Sequence, residues 1–200
     1  MAKSACRMLL FAALLMAVAG AQAADTARSE QDWKLPQLMA SLQQVQAAKA
    51  NFVERKFMRI LREPLQSSGQ LVYVRPDKLQ KDTILPKPER LTVEGGQLTI
   101  EQQGDKTRQL ALQDFPQIWA FVESIRATLA GDLPTLTRFY NVSLQGSREN
   151  WTLQLVPKDN KTRALVAIIR ISGDNETIRN VKTEEADGDF TSMTILAESR

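Results

Sequence analysis

The spacing of apolar residues changes three times along this chain, and each change predicts a different kind of element. From Asp32, the positions Leu35, Leu38, Met39, Leu42 and Val45 recur at helical intervals and predict an amphipathic helix over 33–48. Asp32 stands at its N-cap position, and Pro36 falls in the first turn, where a missing amide donor costs little. The period then drops to two. Asn51–Leu61, the two arms of Ser67–Pro86, Leu91–Glu94, Gln97–Gln102 and Arg108–Leu112 read as strands. Turns are expected at Glu63-Pro64, Arg75-Pro76, Gly95-Gly96 and Gly104-Asp105, so each strand meets the next through a short antiparallel connection.

The helical period returns once. Phe115, Ile118, Trp119, Val122, Ile125 and Leu129 share one face of a second amphipathic helix, with Asp114 as its cap, Pro116 in its first turn and Gly131 at its end. Leu133–Tyr140 predicts a short third helix. Strands resume at Val142–Gln145, Trp151–Val156, Arg163–Ile171, Thr177–Glu184 and Phe190–Ala197. Between them stand Gly146-Ser147, Asp159-Asn160, Gly173-Asp174-Asn175 and Asp187-Gly188. The inventory predicts a mainly β, α+β domain: a large, curved antiparallel sheet or barrel with two or three helices over its open face. Periodicity leaves open whether the space between is packed or hollow; a packed core is the expectation from pattern alone.

Composition removes more functions than it adds. Lys3 and Arg7 precede the short apolar run Met8–Ala19, and Ala21-Gln22-Ala23 follows, which predicts a cleaved export signal over 1–23 and a single domain over 24–200. Cys6 precedes the apolar run, so it is not placed as a lipidated cysteine. Lys3 and Arg7 also carry most of the formal charge of +3, so net charge gives no argument for nucleic acid. The chain has no histidine, and its one cysteine leaves with the signal. Triads built on imidazole, thiolate nucleophiles and zinc sites with His or Cys ligands are thereby excluded, while carboxylate-only or Ser-Lys chemistry is not. The expected protein is not an enzyme and takes no cofactor or metal.

Ser67–Pro86 is the stretch that gives these elements a purpose. Proline ends a strand because it lacks a ladder donor, so Arg75 stands at the strand's mouth, on one face with Leu71 and Tyr73. A guanidinium at an apolar rim either keeps its head in water or donates to helix-terminal carbonyls. Phe52-Val53-Glu54, then Ser68-Gly69-Gln70-Leu71-Val72-Tyr73-Val74-Arg75-Pro76, Pro86, and Glu94-Gly95-Gly96-Gln97-Leu98 resemble the periplasmic outer-membrane lipoprotein carrier family of LolA type. The order of elements agrees along nearly the whole exported chain.

That resemblance implies an unclosed antiparallel half-barrel lidded by helices, whose apolar cavity shields acyl chains between two membranes. It implies that Arg75 and Pro76 form a lid latch. Phe52, Leu71, Tyr73, Leu91, Val93, Leu98 and Ile100 would line the cavity from the sheet, and Leu38, Leu42, Trp119, Val122 and Ile125 from the helices. The implied cargo is an acylated lipoprotein or lipid, received from an inner-membrane ABC-type release complex and passed to an outer-membrane acceptor by a periplasmic monomer. Where the family often has aromatics, this chain has Leu79, Lys81, Thr83 and Thr99. These favour an alternative, a carrier of another lipid or polyene-type product in a dedicated biosynthetic system; a lipid-sensing regulatory module is a further one. Trp119 and Trp151 are expected as buried anchors, and Glu184–Asp189 as a solvated hairpin without calcium-loop spacing. Arg55, Lys56, Arg59 and Arg62 offer a docking surface for an acidic partner, with a merely solvated face as the alternative.

Overall fold

The computed structural model describes residues 33–196, without the side chain of Gln117. The expected export signal, the polar leader after it and the Asp32 cap lie outside the described residues. Eleven strands form one antiparallel sheet: β1 (Ala47–Phe57), β2 (Leu65–Val74), β3 (Lys78–Leu85), β4 (Glu89–Glu94), β5 (Gln97–Gln102), β6 (Arg108–Ala111), β7 (Tyr140–Ser147), β8 (Asn150–Pro157), β9 (Val166–Asp174), β10 (Thr177–Glu185) and β11 (Phe190–Leu196). Four helices accompany them: α1 (Leu35–Leu42), α2 (Pro116–Ala130), α3 (Leu133–Phe139) and α4 (Asn160–Arg163).

The sheet order is β6-β5-β4-β3-β2-β1-β11-β10-β9-β8-β7. The chain therefore enters at the centre of the sheet and meanders outward to the β6 edge. It crosses through α2 and α3 to the opposite edge at β7, then meanders back until β11 pairs with β1. β6 and β7 do not pair, so the sheet is not closed into a barrel. The expected architecture, an open antiparallel sheet with helices on one face, is the one observed.

Local chemistry explains most boundaries. Gly95 and Gly96, at φ +57° and +76°, make the two-residue turn whose twist suits a hairpin between β4 and β5. Pro116 occupies the first turn of α2, and Gly131 ends it in the left-handed region at φ +65°. An Asp132 carboxylate oxygen accepts the Thr135 backbone N–H at 3.1 Å and caps α3. Outward-facing positions of the β3–β5 region are polar: Arg90 joins Asp82 at 2.6 Å and lies 3.8 Å from Glu101. Burial works to raise the Asp82 carboxyl, but bonds from Arg90 and Gln80 outweigh it and hold it below its ordinary value.

Four expectations change. The first helix stops at Leu42, and Ala47–Ala50 join β1, where Ala48 faces Tyr73 and Ala50 faces Leu71 across the ladder. Alanine's helix preference is a few tenths of a kcal/mol per residue, about the size of one such term, and a whole strand ladder overrides it. Gly146 is no turn residue: it sits within β7 opposite Trp151, as Gly173 of β9 does on the other side. A Cβ on Gly173 would fall 2.6 Å from the indole, so Gly173 clears a notch for this side chain, while a Cβ on Gly146 would meet the Asn150 carbonyl oxygen at 2.1 Å. Asp159-Asn160 opens the short α4 instead of a bare turn, because the Asp159 carboxylate accepts N–H bonds from Lys161 and Thr162. Phe115, not Asp114, stands at the α2 cap, since Leu112–Asp114 form a single 3-10 turn first.

Candidate functional site

Ladder register sorts the helix-covered face into rows. In β1 to β6 the first row is Ala48, Tyr73, Leu79, Val93, Leu98 and Leu110, and the second is Ala50, Leu71, Lys81, Leu91, Ile100 and Arg108. The third row, Phe52, Gly69, Thr83, Glu89 and Gln102, turns polar away from β1. Register thus brings Leu71, Tyr73, Leu91, Val93, Leu98 and Ile100 together as one apolar strip. Leu71, Leu79, Leu91, Val93, Leu98, Ile100 and Leu110 are all half-buried: packed sideways on each other, with no helix pressed fully onto them.

The same face behaves differently across β8 and β9. Trp151, Leu153, Leu155, Ile169 and Ile171 are completely buried, and α1, α2 and α3 supply their cover through Leu38, Met39, Leu42, Ala127 and Leu136. Leu38 and Leu42 thus lie in this packed cluster, Ile125 packs against it, and Phe52 is buried at the central strand. Trp151 anchors the sheet as expected, its indole N–H donating to the Asn175 carbonyl at 3.0 Å. Trp119 does not. It is 38% exposed, tilted against Phe139 at 6.4 Å, because α2 turns its small residues Ala120, Ser124 and Ala127 toward the core. Trp119 instead edges a shallow concavity of about 330 Å³ shared with the Gly95-Gly96 turn, Leu112 and Glu123. Phe115 and Ile118 are exposed on the same end of α2, and Val122 is half-buried.

Arg75 follows directly on β2. Its Nη1 donates to the Gln43 carbonyl at 2.6 Å, and its backbone N–H donates to the Gln46 carbonyl at 2.9 Å. Gln43 is the C-cap of α1, where carbonyls lack intrahelical partners and carry the negative end of the helix dipole. Gly131, ending α2, approaches the same turn so closely that a Cβ there would meet the Met39 carbonyl oxygen at 2.2 Å and the Gln43 nitrogen at 2.9 Å. One residue, Gln43, is therefore where the end of a strand and the ends of two helices meet. Beside this junction the Tyr73 hydroxyl is buried with no hydrogen-bond partner among the described residues. Burial raises its pKa, and the positive charges of Arg75 and Arg126 draw it part of the way back. Arg126 itself forms a two-point pair with Glu123 at 2.9 and 2.6 Å.

Sequence reading did not pick out the charged pair in the strip. Lys81 Nζ lies 2.9 Å from both carboxylate oxygens of Glu54 and 5.1 Å from the centre of the Phe52 ring. Gly69 stands in the row between the partners, and Ser67 donates to the same carboxylate at 3.3 Å. The signal in the sequence was a lysine in register with leucines, which periodicity alone reads as noise. At the turn between β10 and β11, Glu185, Asp187 and Asp189 bring oxygens within 4.8 Å of one another. Lys56 pairs with Glu185 at 3.0 Å, while the Arg59 guanidinium donates to the Asp187 carbonyl and its backbone N–H to Asp189. Two members of the expected basic surface are thus engaged within the protein.

Among solved structures, the chain is similar to a LolA superfamily protein from Nitrosomonas europaea, at 8% identity over 84% of this chain and 96% of that one, with a TM-score of 0.45. It is also similar to a chain of the Pseudomonas aeruginosa MucA/MucB complex, at 12% identity and a TM-score of 0.41; the likeness covers 82% of this chain and 54% of that one. No curated protein matches the sequence. The sequence profile of one family, described as outer membrane lipoprotein carrier protein LolA-like, matches residues 23–199. With that match running through the open sheet, the strip and the helices over it, the chain belongs to the LolA-like outer membrane lipoprotein carrier family.

Proposed function

We propose that residues 24–200, freed of an export signal at 1–23, act as a periplasmic carrier that takes an acylated lipoprotein or lipid onto the strip of β2–β6 and ferries it from inner to outer membrane. The observation that carries this reading is the contrast within one sheet face: the helices seal the apolar residues of β8 and β9 and leave seven apolar side chains of β2–β6 half-buried. A strip of that kind gains roughly 25 cal/mol for each Å² that cargo removes from water, so loading needs no nucleotide, metal or covalent step. No helix among the described residues is long and apolar enough to cross a membrane.

Arg75 is proposed as the latch. Hydrocarbon entering beneath α2 lifts the helices from the end of β2, and the Arg75–Gln43 bond is the polar link that must part first. Handover then restores it, helping to expel cargo toward an outer-membrane acceptor after loading from an ABC-type release complex. Two measurements test the reading. Protein purified without detergent should release acylated material on organic extraction; recovery of none, with β2–β6 found sealed, would sink it. Arg75→Leu should fold normally and unload poorly, and unchanged transfer would leave Arg75 without a latch role.

A further inference from the structure

The strip has a defined size and, besides the exposed Arg108 on its β6 edge, one charged interruption within it, and together they specify the chemistry of what it holds. From Tyr73 to Leu110 it crosses five strands, about 19 Å at strand spacing, and its two rows are about 7 Å apart. An extended alkyl chain advances about 1.3 Å per carbon, given C–C bonds of about 1.5 Å, so a chain of roughly 15 carbons spans it. Lys81 lies in the second row, with Leu71 and Leu91 as its ladder neighbours. Its ammonium has three donors; two meet Glu54, and no protein acceptor among the described residues meets the third. The pair is accessible, with side chains 25% and 20% exposed.

Hydrocarbon laid over this pair would strip it of water without compensation, which is costly for ions. A cargo acceptor placed at Lys81 removes that cost. Glu54 decides which acceptor. The pair is already neutral, so a second carboxylate would sit against the Glu54 charge, whereas an uncharged carbonyl meets only the remaining N–H. We propose that Lys81 and Glu54 form a head-group subsite that accepts the carbonyl of an esterified or amide-linked acyl chain and rejects the free acid. This rests on the carrier reading above, and it places selectivity at two residues that the strip's apolar members cannot supply.

The experiment measures displacement of a bound hydrophobic fluorophore from the purified protein by two probes of equal chain length, 1-monolauroylglycerol and laurate. The ester is expected to displace at about tenfold lower concentration than the acid, the equivalent of one charge-assisted hydrogen bond. Glu54→Gln should narrow the gap by improving laurate while leaving the ester unchanged. Lys81→Met should narrow it by weakening the ester. Equal displacement by both probes in the unaltered protein, or an unchanged gap in both variants, overturns the subsite and leaves the carrier reading standing. Failure of both probes to bind at all overturns the subsite and the carrier reading together. Circular dichroism of each variant establishes that it is folded before its displacement curve is read.

Discussion

The two flanks of this sheet have the same alternating pattern and opposite fates. Across β8 and β9, Trp151, Leu153, Leu155, Ile169 and Ile171 are sealed under helices; across β2–β6, Leu71, Leu91, Val93, Leu98 and Ile100 are left half-covered. The difference lies in the cover, not in the strands. α2 directs Ala120, Ser124 and Ala127 at the closed flank, which lets the backbones approach, and leaves Phe115, Ile118 and Trp119 exposed. Stability and binding can then be assigned to different flanks of one sheet: one holds the fold while the other offers apolar surface to a partner.

If that division holds, substitutions should separate by flank. Trp151→Ala, which empties the fully buried space against Gly173, should cost about 3–5 kcal/mol in urea denaturation, enough to unfold a domain of ordinary stability. Leu91→Ala should cost about 1 kcal/mol or less, since much of its surface already meets water. Comparable losses for the two would abolish the distinction. Gly131→Val comes next: it forces a branched residue to φ +65° and drives Cβ into the Met39 carbonyl, so a loss of about 1–3 kcal/mol from strain alone is expected in thermal melts. On the open flank, Val93→Asn should leave the melting temperature within a few degrees of the parent and lower the lipid recovered with the protein several-fold. Lipid recovery that is unmoved would assign binding elsewhere.

The smallest effect concerns pH and belongs to the closed flank. The Thr162 hydroxyl and backbone N–H bonds hold the Asp159 carboxyl below its ordinary range. An acid whose folded pKa is depressed stabilises above its unfolded pKa, and that contribution is lost as pH falls through the folded value. Stability should therefore decline below about pH 4, and Asp159→Asn should flatten part of that decline in acid-unfolding curves. A variant curve parallel to the parent's would mean that this cap is uncoupled from folding.

Much of this was legible in residues. Gly95-Gly96, Gly131, and Pro116 mark their turns and ends through backbone conformations that few other residues take up, and such effects act over three or four positions. Period-two and period-3.6 spacing likewise report local geometry, so the elements and the meander followed from the chain alone, as did the family resemblance. Ala47 and Ala48 were misread because alanine has a weak local preference and the deciding partner, β2, lies more than twenty residues on. Trp119 was misread because nothing near it says which side of α2 the core will occupy.

The Arg75–Gln43 bond, the reach of Lys81 across Gly69 to Glu54, and the choice of which flank the helices cover all depend on registers between distant strands and on how α1, α2 and α3 dock. Those are sums over many side chains separated by tens of residues. The chain's local chemistry names the elements; their packing against one another sets which apolar face is closed and which is left open.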